Sequence, residues 1–275
     1  MTSALVLGGG GIAGIAWHTG VLLGLAESGA DMTSADHFVG TSAGSTVAAQ
    51  VGGGVVLDEL FRRQVDPGTL VTEFAPPVSM AALLEKLAPI FSAGFDDAER
   101  RRKLGEMALA TETVDEGVRR QVIAARLAGI DWSERRVDVV VVDAATGDRR
   151  VLDRTSGVGL VDAVAASSAV PGVWPPVTIG GVRYVDGGIW SLTNTDLALG
   201  HERVLVLAPI VDPSVAAEVA GLGVGVRVEV VSPDAASRQA FGTDVLDPAI
   251  REPSARAGLA QGRAEAERIR ALLEG

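Results

Sequence analysis

The run Gly40-Thr41-Ser42-Ala43-Gly44, directly after Asp36-His37-Phe38-Val39, constrains this 275-residue chain more than any other segment. It is a G-x-S-x-G sequence, and its neighbours predict a strand turning sharply into a helix. Small residues on both sides of the serine allow a tight turn that lifts the hydroxyl over the sheet edge. Residues 45–51 (STVAAQV) are small and apolar enough for a buried helix, whose N-terminus favours negative charge near that hydroxyl. An acyl-transfer nucleophile needs this geometry. The motif also arises by chance, so its context decides.

Two further runs supply the context. Ala4-Leu5-Val6-Leu7 leads into Gly8-Gly9-Gly10-Gly11-Ile12-Ala13-Gly14 and then a helical stretch over 15–26. This reads as strand, glycine loop, helix. Glycines let such a loop aim several bare backbone N–H groups at one point, where they can hold a pyrophosphate or the oxyanion of a tetrahedral intermediate. Later, residues 177–185 (VTIGGVRYV) read as a hairpin whose second strand delivers Asp186-Gly187-Gly188. A carboxylate at a strand end followed by two glycines is expected to be a well-exposed, well-positioned acid.

The order glycine-rich loop, GTSAG, DGG resembles the patatin-like phospholipase family of lipid acyl hydrolases, in its bacterial type. Ala165-Ala166-Ser167-Ser168-Ala169-Val170-Pro171, Trp174-Pro175-Pro176 and Asn194 extend the resemblance, which covers about residues 3–210. It implies a Ser–Asp dyad rather than a Ser-His-Asp triad. Ser42 is then the nucleophile and Asp186 the base. The amides of Gly9, Gly10 and Gly11 form the oxyanion hole, with Gly14, Gly40, Gly44, Gly187 and Gly188 as supporting motif positions. The expected activity is hydrolysis of lipid carboxylic esters, phospholipid or acylglycerol, through an acyl-enzyme. No metal or organic cofactor is required.

One position departs from the pattern. A basic residue, usually Arg, commonly precedes the family's last loop glycine, and here Ala13 stands there. The alternative reading follows from it: a catalytically weak member that binds lipid or a partner protein. A second rival is a dinucleotide-binding protein, since Gly9-x-Gly11-x-x-Gly14 after a first strand fits that fingerprint. The fingerprint also expects an acid at the end of the next strand to hold the ribose. Here that strand ends in GTSAG, while Asp31 and Asp36 precede it.

Composition narrows the setting. A net charge of −11 excludes nonspecific nucleic-acid binding and purely electrostatic docking on anionic lipid, leaving room for transient membrane-surface contact. With no cysteine there is no disulfide or thiol chemistry. No secretory leader and no 18-residue apolar span is read, so the expected location is the cytoplasm, peripheral to membrane at most. The sequence carries no signature of a particular oligomeric state.

Strand-like runs recur at 137–142, 177–185, 204–207 and 226–231, most of them continuous in Val and Leu. Such runs predict strands covered on both faces, hence a three-layer α/β fold with a mostly parallel sheet flanked by helices. Alternation at Arg227 and Glu229 places the last strand near an edge. One domain spans 1–275, with a helical insertion at about 57–132 and a C-terminal amphipathic helix at about 254–273. Within the insertion, Ser79 and Asp96 precede helices, and Thr113-Val114-Asp115-Glu116 has capping-box form. Met80, Leu83, Leu84, Leu87, Ile90 and Phe91 read either as an apolar wall beside Ser42 or, the favoured reading, as packing of the insertion onto the sheet. Arg100-Arg101-Arg102-Lys103, set among acids, reads as a solvated helix face. Of the three histidines, His37 and His201 belong at the far end of the sheet. His18, with Ser168 and Asn194, is a candidate for supporting the dyad.

Overall fold

The computed structural model describes residues 1–69 and 78–274, so residues 70–77 of the insertion lie outside the described residues. Strands β1 (Ser3–Leu7), β2 (His37–Thr41), β3 (Arg136–Asp143), β4 (Arg149–Leu152), β5 (Val177–Ile179), β6 (Val182–Asp186), β7 (Arg203–Leu207) and β8 (Arg227–Val231) form one sheet. Its order is β5-β6-β3-β2-β1-β7-β8, with β4 also paired to β3. The half from β3 to β8 is parallel, whereas β4, β5 and β6 attach antiparallel. The mostly parallel sheet is therefore a mixed one, because the 177–185 hairpin turns back on itself at Gly180-Gly181.

The helices are α1 (Gly11–Glu27), α2 (Ala43–Gly52), α3 (Leu57–Val65), α4 (Met80–Ser92), α5 (Asp97–Ala110), α6 (Glu116–Leu127), α7 (Leu160–Ser167), α8 (Ser214–Gly221), α9 (Ala235–Phe241) and α10 (Arg251–Glu274). Side chains alternate across a strand, and the two faces differ in size. Leu5, Leu7, Phe38, Leu205 and Leu207 point into the larger core shared with α1, α2 and α10. Ala4, Val6, Val39, Val204 and Val206 point into a thinner core closed by Ala198 and Leu222. The expected three layers are present, and β8 lies at an edge as its alternation predicts.

The described part of the insertion is helical, as expected. Ser79 and Asp96 cap their helices, accepting from the Ala82 and Glu99 N–H groups at 3.2 and 2.8 Å. The Thr113 capping box does not form. Asp115 caps α6 instead, accepting from Gly117 N–H at 2.8 Å, and Glu116 reaches across to accept from Thr178 N–H at 2.7 Å. A carboxylate two residues nearer the helix wins the cap, and the freed glutamate ties the insertion to the hairpin. Strand β4, whose Arg149-Arg150 start carries no apolar signal, is absent from the sequence reading. Helix α10 runs three residues further back than expected.

Candidate active site

Register on β3 brings the two motif residues together. Val140 pairs with Thr41 of β2 on one edge and Val151 of β4 on the other. The next residue, Val141, pairs with Asp186 of β6 and Arg150 of β4. A strand has only two edges, so β2 and β6 share one of them end to end, running toward each other. Thr41 ends one strand and Asp186 ends the other. Ser42, the next residue, turns out at the meeting point.

Ser42 has φ 53° and ψ −118°, a backbone shape L-residues rarely adopt. Its surroundings hold it there. Its N–H donates to Ser167 Oγ at 2.9 Å, and its carbonyl accepts from Ser45 Oγ at 2.6 Å and Ser168 Oγ at 3.4 Å. Gly44 is compulsory in this turn, since a Cβ there would lie 1.9 Å from the Leu7 carbonyl oxygen. The start of α2 thus presses directly on the end of β1.

Asp186 is 5% exposed, not the well-exposed acid the sequence led us to expect. Its N–H donates to Ala169 O at 3.0 Å, and its carboxylate accepts from Gly188 N–H at 2.7 Å. Gly187 lets the chain turn tightly against β3, where a Cβ would lie 2.3 Å from Val140 O. Burial pushes the Asp186 pKa up to about 6, opposed by hydrogen bonding from the Ser42 hydroxyl and the Gly188 N–H.

The glycine loop supplies fewer donors than expected. Gly9 lies against Ser42, but its N–H donates to Leu192 O at 2.8 Å. The loop must be anchored to the segment after Asp186, and that anchor uses the amide. Ala13 N–H donates to Val245 O and Gly14 N–H to Gly10 O. The N–H groups of Gly10 and Gly11 make no hydrogen bond among the described residues, as expected at a helix start. They are the available pair.

The other candidates divide. Asn194 sits in the left-handed region; its Nδ2 donates to Thr41 Oγ1 at 3.1 Å and Ser191 O at 2.7 Å. It braces the residue next to Ser42. His18 is wholly buried beside Trp17, 3.3 Å from Leu207 O, and burial lowers its pKa to about 3. It is a neutral core residue, not one facing substrate, because its helix turns it under the sheet. His37 binds Asp138 at 2.8 Å and stacks near His201, at the opposite end of the sheet as expected. Asp36 is there too, accepting from Ser3 N–H, far from the glycine loop a dinucleotide acid would serve.

A narrow cleft, partly open to solvent, lies over Ser42. Gly11, Ile12, Ile15, Ser168, Val170, Trp174 and Leu246 line it, with Arg119 and Arg126 of α6. Its mix of apolar walls and few polar groups suits an acyl ester. Leu83 of the insertion is buried against Val173, Trp174 and Leu246, with Met80 and Leu87 beside it, so α4 backs the cleft wall rather than the sheet. Leu84 and Phe91 are exposed and Ile90 is half-buried, and none of the three lines the cleft. In the basic run, Arg100 and Lys103 pair with Asp97 and Glu106 on a solvated face, while Arg101 stacks 4.1 Å over Trp190. Ser167, Arg119 and Arg126 escaped the sequence reading. Ser167 sits inside the Ala165–Pro171 motif, whereas the arginines lie in an ordinary charged helix that carries no signal. Ala13 is fully buried in the core, so position 13 offers no charge to the cleft.

Among the described residues, no helix is long and apolar enough to cross a membrane. The sequence profile of the patatin-like phospholipases matches residues 5–199. The crystal structure of VipD from Legionella pneumophila superposes with a TM-score of 0.53 at 13% identity, covering 97% of this chain and 67% of VipD. The type III effector protein ExoU gives a TM-score of 0.43 at 15% identity, covering 98% of this chain and 53% of ExoU. No curated protein matches.

Proposed function

The chain belongs to the patatin-like phospholipase family, and from that premise we propose that it is a serine hydrolase of lipid carboxylic esters working through a Ser42–Asp186 dyad. The observation that carries this reading is the end-to-end meeting of β2 and β6 on one edge of β3.

Asp186 accepts the Ser42 proton as Oγ bonds to the ester carbonyl carbon. With its pKa near 6, the carboxylate is ionised at neutral pH yet basic enough to share that proton. The Gly10 and Gly11 N–H groups take the negative charge that develops on the carbonyl oxygen. Collapse of the tetrahedral intermediate expels the alcohol, which receives the proton from Asp186 and leaves an acyl-enzyme. Water then attacks, giving its proton to Asp186, and the carboxylic acid departs as Ser42 Oγ is reprotonated.

The test is turnover of short-chain acylglycerols and phospholipids alongside intact-mass detection of a fluorophosphonate adduct. Turnover by wild type and its loss in Ser42→Ala support the reading. A folded wild type that neither turns over ester nor takes up the probe refutes it.

A further inference from the structure

The segment after Asp186 is wound around one carboxylate, that of Glu218 on α8. Glu218 accepts from Ser191 Oγ at 2.5 Å, from Thr193 Oγ1 at 2.9 Å and from Thr195 N–H at 2.9 Å. Ser191 Oγ in turn accepts from the N–H groups of Thr193 and Asn194, at 3.2 and 2.9 Å. An ionised carboxylate can accept several hydrogen bonds, each stronger than a bond between neutral groups. Of α8 itself only Val215 is buried. The helix is otherwise a surface element, yet its one half-buried acid reaches inward to a turn made by residues 191–195.

That turn touches both halves of the site. Leu192 O accepts the Gly9 N–H at 2.8 Å, and Asn194 Nδ2 donates to Thr41 Oγ1, one residue before Ser42, at 3.1 Å. The chain leading into α8 meets the glycine loop from another side. Pro209, just after β7, lies so near Gly10 that a Cβ placed there would be 2.6 Å from the proline Cβ. Glu218 therefore closes a ring. It runs from the glycine loop through Leu192 to the 191–195 turn, across the carboxylate to α8, and back along the chain to Pro209 at Gly10. Gly10 and Gly11, whose N–H groups are the available oxyanion donors, lie inside that ring. Ala13 brings no charged side chain to brace the loop, so the bracing charge comes from α8 instead. Such donors work only when their aim is fixed in advance, to about 0.5 Å.

We propose that Glu218 is a positioning residue for acyl transfer: its carboxylate fixes the aim of the Gly10 and Gly11 amides at the developing oxyanion without touching substrate. The inference rests on the hydrolase reading and adds to it a residue beyond positions 5–199, where the family match lies. An oxyanion exists only once the carbonyl has been attacked, so the effect falls on the transition state and leaves ground-state binding alone.

The experiment compares wild type, Glu218→Gln, Glu218→Ala and Thr193→Val in the full chain. It measures turnover of a soluble short-chain p-nitrophenyl ester and binding of a trifluoromethyl ketone with the same acyl chain, which forms a tetrahedral adduct with an activated serine. Backbone hydrogen exchange of the peptide spanning Gly8–Gly14 is followed on the same proteins. In Glu218→Gln, kcat should fall about tenfold with KM within about twofold, and ketone affinity should fall in proportion to kcat/KM. Glu218→Ala should lose more. Exchange at Gly9 should quicken in both, because Leu192 O is no longer held. Thr193→Val removes one of the three donors and keeps the side-chain shape, so it should shift every readout less, in the same direction. It also keeps the test informative if Glu218→Ala fails to fold. Unchanged kcat and ketone affinity in Glu218→Gln overturn the inference, as does a change in KM alone. A kcat loss with ketone affinity intact also overturns it, because the defect then lies outside the oxyanion site. So does unaltered exchange in the Gly8–Gly14 peptide of folded variants. A wild type with neither turnover nor ketone adduct, but with quicker Gly9 exchange in the variants, removes the hydrolase reading and leaves Glu218 as the brace of the loop. Turnover indifferent to Glu218 does the reverse.

Discussion

Thr41 and Asp186 face consecutive residues of a single strand, Val140 and Val141, from the same edge of β3. Two segments 145 positions apart in the chain are thereby set by backbone register rather than by side-chain contact. Rigid strands position a catalytic pair more accurately than loops do, and each strand end carries its own glycines for the turn that follows. This arrangement leads to the following expected outcomes.

Asp186 carries a pH signature in both activity and stability. Below a pKa of about 6 the base is protonated, so kcat/KM should fall about tenfold per pH unit on acidification. For stability the sign is opposite. Between pH 3.8 and about 6 the native state retains a proton that the unfolded state has released, so stability is lost as pH rises through that window. The full cost at neutral pH is on the order of 3 kcal/mol. Asp186→Asn should therefore be inactive yet more stable than wild type at pH 7, with the gap closing near pH 4. Urea unfolding at both pH values checks this.

The strained turn at Ser42 makes a second expectation. Ser42→Ala removes the hydroxyl and keeps a side chain at φ 53°. Ser42→Gly removes both and relieves strain of about 1–3 kcal/mol, offset in part by the freer unfolded chain. Both variants should be inactive, and Ser42→Gly should be the more stable in thermal unfolding. The reverse order would mean that the turn stores no strain.

Gly44 should tolerate no side chain. A Cβ placed 1.9 Å from the Leu7 carbonyl oxygen has only backbone to push against. Gly44→Ala should lose more than about 3 kcal/mol or fail to fold, the scale of severe overpacking and backbone displacement. Soluble yield and urea midpoint report it.

Ser167 pins the Ser42 amide, and its loss should separate binding from chemistry. Ser167→Ala leaves the Ser42 N–H without its buried acceptor, at a cost of about 1–3 kcal/mol in stability. Because the turn then loosens, kcat should fall several-fold while KM moves little. Steady-state kinetics on a soluble ester measure the split, and rescue by Ser167→Thr would tie it to the hydroxyl.

How much of this was legible depends on where the information resides. Ser42, Asp186 and the glycine loop are local motifs, each with a turn chemistry that short sequence displays. The helical insertion and the edge position of β8 were readable from periodicity and alternation. Burial of Asp186 was not, because it comes from Ala169 and the segment after α7 folding over the strand end. Nor was the use of the Gly9 amide by Leu192, a contact between residues 183 positions apart. Arg119 and Arg126 look like surface charges in α6, and only the docking of that helix turns them toward Ser42. Thr113 misled because a nearer carboxylate, Asp115, competes for the same helix start.

The central claim is that Ser42 is activated by Asp186, and the most direct measurement is the rate of fluorophosphonate labelling against pH. The labelled residue is mapped by peptide mass, and the rate is followed from pH 4.5 to 8 in wild type and in Asp186→Asn. The account predicts one adduct, on Ser42, forming at a rate that falls on acidification with an inflection near pH 6, and labelling at least a hundredfold slower in Asp186→Asn. An adduct elsewhere, or a Ser42 rate indifferent both to pH and to loss of the carboxylate, would contradict it.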